Sequence, residues 1–228
     1  MDRPSRWKAF WADQSVPAWR YGDEAYYQMY AAELRVLYHG LVPRRVLELG
    51  CGDGALYAHL RFGQSDYKGV DFSASMLQAF RHKFPLANVE CHDGHTYRDG
   101  NKYDLIFSNG LVQYLDARML QEHIANAATM MAAESVLVCG SVPWRTRRWG
   151  YYSGRLEKPC AKRSGVTYLK ALRHVLADSV GYWYEPFDFC SLAARFGFSV
   201  EFFGSMVHLY RFHVVMRIRA PQSSLGRM

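Results

Sequence analysis

The sequence predicts a doubly wound α/β domain, a mostly parallel sheet with helices on both faces. Three observations predict it. Apolar β-type runs alternate with amphipathic helical stretches from residue 46 to residue 142. The first run, Val46 to Leu49, breaks into glycines at alternate positions, Gly50, Gly52 and Gly54. The second, Tyr67 to Asp71, ends in an acid 17 residues beyond Gly54.

In chain order, residues 7 to 39 are aromatic and periodic (Trp7, Phe10, Trp11, Trp19, Tyr21, Tyr26, Tyr27, Tyr30, Leu34, Leu37) and predict one or two helices ahead of the sheet. Pro43 stops the second, and the first strand begins near Arg45. Helices are expected at 55–62, 74–84 and 117–131, and strands at 67–71, 88–91, 103–108 and 135–140. Asp116 is a suitable N-cap for the helix that carries Leu120, Ile124, Ala127 and Met131 on one face. After Val142 the pattern changes. Residues 143–163 read as a basic loop and 166–176 as a helix, and Glu185 and Pro186 open another helix that runs to Phe196. Two β-type runs, 198–204 and 210–218, bring the count of strands to seven, and 221–228 reads as a frayed tail.

The 228 residues are enough for one domain with a full core, expected to span 1–220: a helical N-terminal cap (1–42), a sheet core (43–142), an insertion (143–185) and a closing helix and hairpin (186–220). No run of 18 apolar residues occurs, and MDRPSRWKAFW has no apolar leader pattern, so a soluble cytoplasmic protein is expected. The five cysteines form no C-x-x-C pair and read as reduced thiols. The net charge of +7 has a single source: residues 145–173 hold nine basic residues and one acid, Glu157, whereas the other 199 nearly balance. A concentrated positive field of this kind attracts anions, and Trp144, Trp149, Tyr151 and Tyr152 lie in or beside it.

Alternate glycines after a strand let the chain turn sharply and let a ligand lie against bare backbone. An acid closing the neighbouring strand is placed for two ribose hydroxyls. Together they predict a nucleotide-like ligand. A nicotinamide site prefers G-x-G-x-x-G; here Glu48 to Gly54 reads E-x-G-x-G-x-G. That pattern resembles the class I S-adenosylmethionine (SAM)-dependent methyltransferases, whose fold has an antiparallel last strand. The resemblance is motif-based over about residues 40–142 and architectural over 185–219. It implies that Glu48, Gly50, Cys51, Gly52 and Gly54 form the cofactor loop, and that Asp71 and Phe72 hold the adenosine edge. It also implies that Asp93, with Gly94 beside it, meets the adenine amino group, and that Ser108 and Asn109 face both the cofactor and the acceptor.

Many relatives continue with a histidine pair where this chain has Gln113 and Tyr114, and the Asn-Pro-Pro-Tyr pattern that resembles base-amine methylation is absent. Candidate general bases are therefore Tyr114, Glu185, His208 and His213. Arg20, Tyr21, Tyr26 and Tyr27 are candidates for a lid, and Tyr182 to Tyr184 with the basic insertion for an acceptor pocket. No metal is expected, because His92 and His95 lack a carboxylate cluster. The expected reaction is O-methylation of a small or glycosidic acceptor carrying negative charge, such as a nucleotide-linked or lipid-linked sugar. The stretches Gly181 to Pro186 and Tyr210 to His213 are similar to methyltransferases of bacterial polysaccharide and glycolipid clusters. An RNA methyltransferase is the rival on account of the basic aromatic segment. A non-catalytic partner of the same fold and peripheral contact with anionic lipid are further alternatives.

Overall fold

The computed structural model describes residues 3–12, 23–62, 67–156, 172–173, 176 and 180–219. Ahead of the sheet lie α1 (Arg3–Ala12) and α2 (Glu24–Val36), the latter capped by the Asp23 carboxylate, which accepts from the Tyr26 N–H. The core then alternates β1 (Val46–Leu49), α3 (Tyr57–Leu60), β2 (Tyr67–Asp71), α4 (Ala74–Lys83), β3 (Asn88–Cys91), β4 (Tyr103–Asn109), α5 (Ala117–Met130) and β5 (Met131–Pro143). A short α6 (Arg148–Tyr152) follows, and α7 (Pro186–Phe196), β6 (Phe198–Gly204) and β7 (Arg211–Ile218) close the chain.

The seven strands form one sheet in the order β3-β2-β1-β4-β5-β7-β6. β1 to β5 are mutually parallel, and β7 enters antiparallel between β5 and β6. The order reverses between β1 and β4, so their C-terminal ends open a crevice where a ligand can enter. The alternation of side chains along each strand divides the core. Leu47, Ile106, Leu137 and Val214 face α5 and α7 with Leu120, Ile124 and Phe189. Val46, Leu105, Phe107 and Val215 face α2, α3 and α4 with Leu34, Tyr57, Leu77 and Phe80.

Two elements differ from expectation. The helix expected at 55–62 is the single turn α3, because residues 52–56 are spent on the glycine turn. β5 begins at Met131, where α5 passes directly into the strand, and runs on to Pro143 through an irregularity between Cys139 and Val142. In that irregularity Ser141 has φ of 59°, a left-handed value that a non-glycine residue adopts only when its surroundings hold it. The lid candidates Arg20 and Tyr21, the thiol of Cys160 and the tail lie outside the described residues, as do most of the expected helix 166–176 and residues 157–171 of the basic insertion. No helix among the described residues is long and apolar enough to cross a membrane.

Candidate active site

A cavity of about 550 Å³ opens at the C-terminal ends of β1 and β4. At one end lies the glycine turn. The N–H groups of Gly50 and Cys51 donate to the carbonyl of Val70, at 2.7 and 3.1 Å, which staples the turn to β2. Both oxygens of Asp71 hold backbone: Oδ2 accepts from the Gly52 N–H and Oδ1 from the Ser73 N–H, each at 2.9 Å. Burial pushes the Asp71 carboxyl above its ordinary range, against the pull of those two N–H donors. The acid thus fixes both the turn that borders the cavity and the start of α4. Asp53 anchors the turn from the other side through the Lys83 ammonium at 2.6 Å.

Gly54 has a different task. A Cβ there would lie 1.7 Å from the Phe80 ring, so its bare backbone serves the packing of the turn against α4, and the residue does not line the cavity. Glu48 does line it. It is buried and takes a 2.5 Å hydrogen bond from the Tyr67 hydroxyl, and burial pushes its carboxyl up to about 8, so it carries a proton at neutral pH.

Strand alternation sorts the residues expected at the end of β4. Asn109 points to the α2 face, lines the cavity and accepts from the Tyr30 hydroxyl at 2.6 Å. Ser108 points to the other face, fully buried, with its Oγ 3.1 Å from Nε2 of His123 beneath α5. Burial lowers His123 to about 4, so its imidazole is neutral, and Ser108 belongs to the core. Asp93 also lies off the cavity. It is bound by His95 Nδ1 and by the ammonium of Lys8, both at 2.5 Å. Gly94 and Phe72 line the cavity, as do Gly50, Cys51 and Gly52.

Lys8 is on α1, whose Trp7, Phe10 and Trp11 line the cavity. The Trp11 carbonyl accepts from the Ser73 hydroxyl at 2.9 Å, and Tyr114 packs its ring 5.1 Å from that of Trp7. The aromatic cover therefore comes from α1 as well as from Tyr26 and Tyr27 of α2. The periodic aromatics gave a sign of a helix, but nothing local said where it would fold back.

Of the four candidate bases, Tyr114 and His208 line the cavity, and Nε2 of His208 lies 2.8 Å from the Tyr26 hydroxyl. Glu185 does not: its oxygens accept from the Trp144 indole, the Thr146 N–H and the Thr146 hydroxyl, which ties the insertion to the start of α7. His213 is fully buried between Glu33, 2.6 Å from its Nε2, and the Ser141 N–H, which donates to its Nδ1 at 3.2 Å. Arg211, absent from the sequence-based candidates, is in the wall. It donates to the Ser141 carbonyl at 2.7 Å and to the Gln113 side-chain oxygen at 2.9 Å. The signal for it was there, since alternation along β7 sets residues 211 and 213 on one face. In the basic segment, Arg145 is paired with Asp188, and Arg147 bonds the Leu209 carbonyl and lies over the Trp144 ring.

Residues 46–134 match the model of a methyltransferase domain. These residues, less than half of the chain, thus carry the sequence pattern of a methyltransferase domain. The chain is 34% identical over 95 residues to malonyl-[acyl-carrier protein] O-methyltransferase 1 of Ilyobacter polytropus, covering 39% of this chain and 35% of that protein. It is 33% identical over 87 residues to trans-aconitate 2-methyltransferase of Methylobacterium radiotolerans, covering 37% and 34%. The chain thus matches about a third of the length of these curated relatives. Over 96% of its length it superposes on 98% of the magnesium protoporphyrin IX methyltransferase of Synechocystis with bound SAM, with a TM-score of 0.65 and 16% identity, which shows a shared fold.

The cavity residues of this domain fit SAM, the cofactor of such a domain. Bare glycine backbone borders the cavity, the carboxylates of Asp53 and Asp71 lie at that end for a cationic ligand, and the α1 aromatics offer faces to a ring. The buried indole N–H of Trp7 has no hydrogen-bond partner among the described residues. Among the described residues no group of three or more His, Cys, Asp or Glu could hold a metal ion.

Proposed function

We propose that the protein transfers the methyl group of SAM to an oxygen of a small anionic acceptor. When bound, SAM supplies an electrophilic methyl on a sulfonium. The observation that carries the proposal is the separation of charge along one cavity. Its acids sit at the glycine-turn end, and the one Lys or Arg among the described lining residues is Arg211, held between β5 and the turn at Gln113. A cationic cofactor and an anionic acceptor suit opposite ends of such a cavity.

The rest of the work is placement. Asp71, the turn it fixes and the Tyr30–Asn109 pair would hold the cofactor end, and α1 with its tryptophans excludes water. Holding a nucleophile against the methyl group contributes about 7–11 kcal/mol in favourable cases. An acceptor hydroxyl would need its proton removed, and His208, bonded to the Tyr26 hydroxyl, is the group in the wall that would take it. An acceptor carboxylate would need no base. The named substrates of the two curated relatives, a malonyl group and trans-aconitate, are carboxylic acids, which supports an anionic oxygen acceptor here. The ties of Arg145 and Arg147 to the protein itself weigh against a surface devoted to RNA phosphates.

The test is methyl-labelled SAM incubated with the protein and a bacterial lysate fractionated into RNA, glycolipid and small acids. The proposal expects label in the small acidic fraction, released as methanol by mild alkali if an ester has formed. Label confined to RNA would reject it.

A further inference from the structure

Arg211 is 9% exposed and lines the cavity. A guanidinium has five N–H donors. Ser141 and Gln113 oxygens take one each, the Tyr210 side chain also bonds it, and the Tyr210 ring lies 4.9 Å from its carbon, which leaves donors for a ligand. No ion pair among the described residues includes it. A buried cation without a carboxylate is costly unless a ligand completes it, because desolvation is then not offset.

The surroundings hold this group in place. Glu33 accepts from the N–H groups of Met206 and Val207, at 3.0 and 2.9 Å, and binds His213. His213 accepts from the Ser141 N–H and so supports that residue at its left-handed φ, which turns the Ser141 carbonyl onto the guanidinium. Gln113 is itself fixed by its amide, which donates to the Gly110 carbonyl at 2.9 Å. Glu33, His213, Ser141 and Gln113 thus serve the orientation of one guanidinium, and the planar fork suits a planar, singly charged partner.

We infer that Arg211 anchors the acceptor through a carboxylate, so that the substrate class is small carboxylic acids. The inference rests on the proposed methyl transfer and names the substrate class of the same site. A phosphate dianion fits less well, because no second Lys or Arg among the described residues lines the cavity.

Calorimetry on the full chain saturated with S-adenosylhomocysteine tests it, with malonate and trans-aconitate as probes. Trimethyl trans-aconitate is the neutral control and inorganic phosphate the competing anion. At least one acid should bind, the neutral ester at least tenfold more weakly, and phosphate no better than the acids. Arg211→Gln should lower acid affinity at least tenfold while S-adenosylhomocysteine affinity stays within twofold. Arg211→Lys, which keeps the charge and loses the fork, should fall between. Equal acid binding in Arg211→Gln, tighter binding of phosphate, or no binding of either acid by the saturated wild type would overturn the inference. So would a matching loss of S-adenosylhomocysteine affinity, which would place Arg211 at the cofactor. If the wild type fails to take up S-adenosylhomocysteine at all, it is the methyl-transfer proposal that falls.

Discussion

The two ends of the cavity are built in opposite ways. The proposed cofactor end is local: β1, the glycine turn, β2 and the start of α4 supply Glu48, Gly52, Asp53 and Asp71 from within about 25 residues of one another. The proposed acceptor end is assembled from far-apart pieces of chain. Glu33 of α2 meets His213 of β7 across 180 positions, and Arg211 meets Gln113 across 98. Backbone geometry shapes the first end, and a side-chain network fixed by buried hydrogen bonds shapes the second. The domain model accordingly matches 46–134 and stops short of Ser141, His208 and Arg211.

If the cofactor end depends on close backbone packing, the largest effect should come from Gly54→Ala. Its Cβ would collide with Phe80, and φ is +76°. Overpacking and the left-handed strain together should cost roughly 2–4 kcal/mol, about 5–15 °C in Tm. Gly197→Ala, at φ +73° with nothing within 4 Å, should cost only about 1 kcal/mol. Equal losses in thermal melts of the two variants would remove the packing role of Gly54.

If the acceptor end depends on its network, Glu33→Gln should come next. Hydrogen bonds to a charged group contribute about 1.5–3 kcal/mol, and the carboxylate holds His213 and two backbone N–H groups. Burial raises the Glu33 pKa, but the bonds from His213 and Ser205 outweigh it and hold the carboxyl below its ordinary value. Its stabilisation is therefore present above the unfolded carboxylate pKa and lost as pH falls through the lower folded one. Urea unfolding should show a gap between wild type and variant at pH 7 that closes in acid. S-adenosylhomocysteine affinity should stay within about threefold, and a larger loss would mean that the two ends are one unit.

The smallest effect is that of Glu48→Gln. The folded pKa of Glu48, about 8, lies above the unfolded one, so its favourable protonated contribution is complete below about pH 4 and lost as pH rises through 8. The variant should match wild type within about 1 kcal/mol near pH 5 and exceed it at pH 9. A wild type that gains stability over that range relative to the variant would show an ionised Glu48.

The contrast also explains what the sequence revealed. Strand–helix alternation, the glycine turn and the acid at residue 71 are local signals, and the sheet and cofactor end follow from them. Ser108 was misplaced because the end of a strand was read without its alternation, which sends residue 108 under α5 and 109 to the cavity. Gly54 answers to Phe80, 26 positions on, and no local pattern shows that contact. Glu185 and His213 look like candidate bases in sequence because acids and imidazoles are chemically versatile. Only their distant partners, Thr146 and Glu33, reveal that they hold backbone and side chains in place. Arg211 shares the β7 face of His213, but its place in the cavity wall depends on the distant Ser141 and Gln113.

The central claim is that the glycine turn and Asp71 form the grip for an adenosyl sulfonium. Titration calorimetry of S-adenosylhomocysteine against wild type and Asp71→Asn tests it most directly, with NADH as the competing dinucleotide. One-site binding by the wild type is predicted, weakened at least tenfold in Asp71→Asn, where a single amide oxygen must replace two acceptors, and undisturbed by NADH. Absence of binding at millimolar S-adenosylhomocysteine, or its displacement by NADH, would contradict the account.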